Sequence, residues 1–156
     1  MNSDDVVGLL KGLRFEEALK AMESVEDKKQ LASKLTEFAG TLNYLKGYPD
    51  LTESLLKLSL LYDYENPLTH YNIGVLYTNP PELIEDEKRV DKAERAFKYA
   101  IKLDPEFHEA RHNLALLYYF TGRFDQAWEE YGRIIESAGD DIRFRRLGMM
   151  LLDEER

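Results

Sequence analysis

The sequence predicts an all-α protein built from repeated helix pairs, and self-similarity along the chain is its main support. Residues 72–77 (NIGVLY) and 113–118 (NLALLY) share one pattern of polar, apolar and small positions. Each is followed by a second helical segment, and these segments, 92–100 and 126–134, begin 34 residues apart. A period of about 20–50 residues is typical of repeat architectures, in which neighbouring units stack to bury a common core.

The residue types at the repeated positions explain how two helices of one unit could pack. Small residues recur where the helices would touch: Gly74 is paired with Ala93, and Ala115 with Ala127. They permit close approach of the helices, while large neighbours fill the space beside the contact. Pro105 follows a predicted helix end, where it cannot continue the hydrogen-bond ladder.

These residues resemble the tetratricopeptide repeat, whose 34-residue pattern runs W-x2-L-G-x2-Y, then Ala, then A-x3-F, then Pro. The matching residues in two units are Ile73, Gly74, Tyr77, Ala93, Phe97, Ala100 and Pro105, and then Leu114, Ala115, Tyr118, Ala127, Tyr131 and Ile134. The resemblance implies a right-handed superhelix, or solenoid, of about four helix-turn-helix repeats with a C-terminal capping helix.

The elements follow in order along a predicted single domain, 1–156. The units are a truncated first repeat (1–32), a degenerate second (33–66), a third with an insertion (67–107), a fourth (108–141) and a cap helix (142–156). The first unit is inferred because 12–18 (GLRFEEA) echoes 122–127 (GRFDQA), and the second keeps Ala39, Gly40 and Leu56. The third spans 41 residues, seven more than the period. Its insertion, near 78–92, could be a short helical extension or a solvated loop at the edge of a groove.

The resemblance also implies a concave groove lined by the first helix of each pair. Its predicted peptide-contacting residues are Lys34, Phe38, Thr41, Tyr44, Tyr71, Asn72, Val75, Asn79, His112, Asn113, Leu116, Tyr119 and Phe120. This lining is rich in aromatic and amide groups, so we expect an extended or helical peptide with apolar anchors, hydrogen-bonded by Asn72 and Asn113. A purely structural role for these two asparagines remains an alternative.

The cap helix is expected to do more than close the stack. Phe144, Leu147, Gly148 and Leu151 fall at i, i+3, i+4 and i+7 and predict one buried face. A terminal unit should show a polar outer face, yet further apolar residues surround the helix. The predicted interface with a partner or a second copy of the chain consists of Arg143, Arg146, Met149, Met150 and Leu152.

Composition argues against several classes of partner. The 156 residues carry a net charge of −9, and there is no cysteine. Nucleic acids and anionic membranes bind proteins with a surplus of Lys and Arg, whereas this chain has a surplus of Asp and Glu. Neither is therefore an expected partner. No apolar stretch is long enough to span a bilayer, and the acidic start at 1–5 is unlike a secretory signal. We therefore expect a cytoplasmic protein with no cofactor.

The predicted function is that of a non-enzymatic interaction module or scaffold that binds another protein. A small acidic secretion or assembly chaperone with this type of repeat is the alternative. A remote alternative is a metal-dependent hydrolase, because residues 108–112 read His-Glu-Ala-Arg-His, the H-E-x-x-H spacing of zinc proteases. Such a site needs a third ligand, and no histidine follows His112.

Overall fold

A computed structural model describes residues 1–79 and 84–156 of the chain. The helices are α1 (Ser3–Lys11), α2 (Phe15–Ser24), α3 (Lys28–Leu45), α4 (Pro49–Tyr62), α5 (Pro67–Thr78), α6 (Glu87–Leu103), α7 (His108–Phe120), α8 (Phe124–Ala138), a 3₁₀ turn (Ile142–Phe144) and α9 (Arg145–Glu154). The prediction of an all-α fold is confirmed for these residues. Within the same ranges, no helix is both long and apolar enough to cross a membrane.

The chain divides into two compact units, Met1–Asn72 and Ile73–Arg156. In the first unit, α1 pairs with α2 and α3 with α4. Local sequence fixes their ends: the side chain of Asn2 accepts from the backbone N–H of Asp5 in a capping box, and Pro49 starts α4 at a position that needs no donor. The core of the unit is aliphatic and includes Val6, Leu31, Leu35, Leu55 and Leu56, all buried.

A buried polar network joins α3 to the first part of α5 within the first unit. The amide nitrogen of Asn72 donates to the backbone oxygen of Thr36 at 3.0 Å, and the amide nitrogen of Asn43 donates to the backbone oxygen of Asn72 at 2.9 Å. The hydroxyls of Thr36 and Thr69 are 2.7 Å apart. Buried polar groups are costly unless paired, so this network fixes how the two helices meet.

The second unit contains the end of α5, the α6 helix, the α7–α8 pair and the cap. Phe97, Leu114, Leu117, Ile134 and Leu147 are among its fully buried side chains. The α7–α8 turn is tight, because Gly122 takes a positive φ of 76° that favours glycine.

The sequence left the conformation of the insertion near 78–92 open. Helix α6 begins at Glu87, where Asp86 caps it by accepting from the backbone N–H of Lys88. The last part of the insertion is therefore a helical extension. Residues 80–83 lie outside the described residues.

Candidate protein-interaction surface

The cap helix α9 has apolar side chains on two faces. Phe144, Leu147 and Leu151 are buried in the second unit. Ile142, Met149 and Leu152 lie away from that core and are 76%, 67% and 52% exposed. Met149 and Leu152 lie three residues apart on α9, which places them on one side of the helix, and Ile142 lies in the 3₁₀ turn before it. We call Ile142, Met149 and Leu152 the cap stripe.

Gly148 sets the rotation of α9 about its own axis. A Cβ atom built on Gly148 would lie only 2.7 Å from Cζ of Tyr131 in α8, so any side chain at this position would force the Tyr131 ring to shift. With Gly148 as the small contact residue, α9 directs Met149 and Leu152 of the predicted interface outward, and Met150 is partly exposed.

The two predicted arginines of the cap differ in their surroundings. The Arg143 guanidinium donates to the carboxylates of Asp141 at 2.7 Å and Glu109 at 2.6 Å. Arg143 holds the pKa of Asp141 down at about 2, chiefly through this hydrogen bond. Arg146 is exposed and forms no ion pair with any residue of 1–79 or 84–156. Arg146 is therefore a cation beside the cap stripe that is open to an external carboxylate.

Two residues that the sequence assigned to the groove hold the cap in place. The Tyr119 hydroxyl donates to the Glu154 carboxylate at 2.9 Å, and this hydrogen bond raises the pKa of Tyr119. The His112 ring packs on Phe144 with 5.0 Å between ring centroids. Burial lowers the pKa of His112 below its ordinary value. Both contacts join α7 to the cap, so these two side chains help to attach the cap.

Further aromatic contacts extend from Tyr119. Its ring meets Phe120 edge-on at 5.2 Å between centroids and Phe124 at 5.5 Å. Phe120 and Leu116 are partly exposed, as is Asn113. The C-terminal half of α7 thus carries an aromatic cluster next to the end of the cap helix.

The groove residues predicted in the first unit have varied environments. Lys34 forms an ion pair with Asp4 at 3.4 Å, and the Thr41 hydroxyl donates to a backbone oxygen of its own helix. Tyr44 is exposed, while Phe38 is half-buried beside a cavity. Asn72 is buried, and its amide nitrogen is engaged by Thr36. These contacts support the structural alternative for Asn72, whose amide stabilises the contact between α3 and α5, and its contact with a peptide stays a prediction.

The remaining groove residues are partly exposed. Tyr71 lies near the end of the first unit, and Val75 and Asn79 lie in the second. They remain a predicted contact set.

The histidines of the H-E-x-x-H segment have separate neighbours. His108 Nε2 is 3.5 Å from a carboxylate oxygen of Glu106, whereas His112 packs on Phe144. In residues 1–79 and 84–156, no three His, Cys, Asp or Glu side chains come together as metal ligands.

Comparison with known proteins places this arrangement in a class of helical-repeat proteins. Residues 86–148 match the family model of the tetratricopeptide repeat. A crystal structure of a thermophilic TPR protein of Thermus thermophilus is similar, with a TM-score of 0.58 and 27% sequence identity. The match covers 80% of this chain and 62% of that one, so the present chain spans less than two thirds of its length. No curated protein matches the sequence.

The repeated helix pairs and both matches support a tetratricopeptide repeat protein, and the family model covers residues 86–148 of the chain. Repeats of this type generally mediate protein–protein interactions, and the fold is typical of non-enzymatic scaffolds. The sequence-based prediction of the family is confirmed.

Proposed function

We propose that this protein is a non-enzymatic adaptor that binds another protein through the exposed face of its C-terminal helix. The observation that carries the proposal is the cap stripe. Single exposed apolar residues are ordinary, but three large ones on the short cap segment, one in the 3₁₀ turn and two on α9, are typical of an interaction site. The partner would cover Ile142, Met149 and Leu152.

The cap presents this stripe on a rigid support. Leu147 and Leu151 are buried beneath it, Gly148 fits against Tyr131, and Tyr119 is hydrogen-bonded to Glu154 at its far end. A helix held in place before binding loses less entropy when a partner immobilises it. The cap helix is therefore better suited to binding a partner than a disordered C-terminal segment would be.

Charge indicates what the partner should carry. Arg146 lies four residues after Ile142 and three before Met149, and it lacks an ion pair among the described residues. Arginine is enriched at protein interfaces, where it pairs with carboxylates. We expect the partner to place an acidic side chain next to an apolar anchor.

The test is affinity capture from native extract with quantitative mass spectrometry of the wild type and of the double variant Met149→Glu/Leu152→Glu. Leu61→Glu is the matched control, because Leu61 is 75% exposed on α4 and lies outside the proposed surface. We expect the same specific protein with the wild type and with Leu61→Glu, and its loss with the double variant. An equal yield from all three would refute the proposal.

Two outcomes would favour the other readings. A concentration-dependent dimer in light scattering that the double variant abolishes would assign the stripe to a second copy of the chain. Capture of many unrelated proteins with exposed apolar segments would favour the chaperone alternative. The groove predicted from the sequence can be tested in the same way with Asn113→Ala and Leu116→Ala.

A further inference from the structure

The first unit contains an open apolar cavity that the predicted groove does not include. Its volume is about 250 Å³, and Leu10, Lys11, Leu13, Phe38, Leu42, Tyr48 and Leu51 line it. These residues come from the end of α1, the middle of α3 and the start of α4, with the turns between helices. Of them, only Phe38 belongs to the groove predicted from the sequence.

Two of the lining residues have an unusual backbone. Leu13 has a φ of 60° and Tyr48 a φ of 56°, in the left-handed region that side chains with a Cβ rarely adopt. Both side chains are nevertheless large, and each is 61% exposed at the cavity. Strained backbone of this kind is concentrated at functional sites.

The turn after α7 can be compared with the turn after α1, which contains Leu13. After α7, Gly122 N–H donates to Tyr119 O at 3.1 Å and Arg123 N–H to Tyr118 O at 2.8 Å. The turn after α1 has the same hydrogen bonds: Leu13 N–H to Leu10 O at 3.0 Å and Arg14 N–H to Leu9 O at 2.9 Å. Both are Schellman turns, whose left-handed position is usually glycine.

Leu13 therefore stands where Gly122 stands in the other turn. Glycine would relieve the strain, so packing of the turn does not explain the leucine. Its side chain instead forms part of the wall of the cavity. A ligand that contacts the cavity wall would explain why a leucine is kept at this strained position.

We propose that this cavity binds an aromatic side chain of a partner protein, with a neighbouring carboxylate of the same partner held by Lys11. A buried cavity of about 150 Å³ can take up benzene, so this cavity has room for a phenyl or indole ring. It is smaller than the range of about 300–1,000 Å³ that is usual for small-molecule sites. Its size thus favours a single anchoring side chain.

The surroundings of the cavity support a peptide ligand. Two lining residues, Leu13 and Tyr48, are themselves largely exposed and give the cavity an apolar rim. Lys11 is exposed and forms no ion pair in the part of the chain that the structure describes. An anchor pocket with an apolar rim and one open cation matches the composition of interaction hot spots.

The inference can be tested without knowing the partner. The probe is the peptide acetyl-Gly-Ser-Phe-Asp-Glu-Ser-Gly-amide, titrated into ¹⁵N-labelled protein and followed by heteronuclear NMR. We expect saturable shifts at the backbone amides of Leu10, Lys11, Leu13 and Tyr48. A peptide with Ala in place of Phe should not bind, and one with Lys in place of both acids should bind about tenfold more weakly.

Variants separate binding from folding. Leu13→Gly installs the residue used at the equivalent turn, so it should raise the unfolding temperature while weakening binding about tenfold or more. Lys46→Gly is the matched control, because Lys46 also has a positive φ of 56° but does not line the cavity. It should be stabilised in the same way and bind like the wild type.

A second pair of variants tests the charge. Lys11→Glu should weaken binding of the acidic peptide and restore binding of its Lys version, whereas Lys20→Glu, with the same change in net charge, should leave both affinities unchanged. Absence of saturable shifts at the cavity residues with millimolar peptide would overturn the proposal. So would unchanged binding by Leu13→Gly. Neither result bears on the cap stripe, which lies in the second unit.

Discussion

Gly74 faces the ring of Phe97, and its replacement by alanine tests the packing of α5 on α6 in the second unit. An added Cβ would lie 2.6 Å from both Cδ1 and Cζ of Phe97. The ring is completely buried, so it has little room to move away. Either the ring leaves its rotamer or the two helices separate.

The magnitude follows from two opposing effects. Overpacking a core typically costs about 1–3 kcal/mol, whereas replacing glycine by alanine inside a helix gains about 1 kcal/mol. Because several ring atoms are too close, we expect a cost near the top of that range. Gly74→Ala should therefore lower the free energy of unfolding by about 1–2 kcal/mol.

Gly132 provides the matched control. It lies within α8, and nothing is within 4 Å of a Cβ built on it. Gly132→Ala changes the same atoms without a clash and should raise the free energy of unfolding by about 0.5–1 kcal/mol. The difference between the two variants isolates the contact with Phe97.

Urea unfolding followed by the fluorescence of Trp128 is the appropriate assay, since this tryptophan lies in α8 of the same unit. In a double-mutant cycle, Phe97→Leu should cost less in the Gly74→Ala background than in the wild type. If Gly74→Ala stabilises the protein as much as Gly132→Ala does, the close packing of α5 on α6 is refuted.

Two further predictions concern charge. Glu130→Ala should lower the free energy of unfolding by about 2–3 kcal/mol, because it leaves the Arg111 guanidinium without its carboxylate at 2.8 Å, where the two side chains are only 10% and 13% exposed. Glu129→Ala removes only the exposed ion pair with Arg133 and should lower the free energy of unfolding by less than about 0.5 kcal/mol. Urea unfolding that shows equal losses of stability for the two variants would contradict this prediction. Burial lowers the pKa of His70, although its hydrogen bond to the Tyr64 backbone oxygen opposes this. As the pH falls, His70 therefore takes up its proton more readily in the unfolded chain than in the folded one. Its contribution to the free energy of unfolding is fully present above about pH 6.5 and is lost as the pH drops below that value. The urea midpoint should therefore depend less on pH between about pH 7.5 and pH 5.5 in His70→Gln than in the wild type, and an unchanged dependence would count against this prediction.

Repeat spacing predicted the helices because the same packing contacts recur in each unit. Gly74, Ala93 and Phe97 were assigned to one contact from their positions alone, and all three are buried there. The position of the cap stripe was harder to predict, because the cap lacks a second helix with which to align it. The informative signal was Gly148, whose place against Tyr131 fixes which side of α9 is exposed.

Two features of the structure depended on details that a sequence pattern does not contain. Asn72 occupies a position that faces the groove in the family pattern, but Thr36, in another helix, engages its amide. The cavity in the first unit depends on the left-handed backbone of Leu13 and Tyr48. A pattern that expects glycine at such turns does not predict leucine or tyrosine there.

In a repeat protein, equivalent positions of different repeats can be compared to find out which residues the packing requires. Where two turns share their hydrogen bonds but differ in residue, the difference cannot be attributed to the turn. Leu13 and Gly122 are such a pair, and the leucine keeps a strained backbone beside a cavity. The cap stripe supports the same reasoning, because a terminal helix needs only one apolar face to close the core, and Met149 and Leu152 lie on the other. Leu13 and the cap stripe both add exposed apolar surface that packing within the repeats does not require. Such surface contributes little to the stability of an isolated chain and more to the stability of a complex.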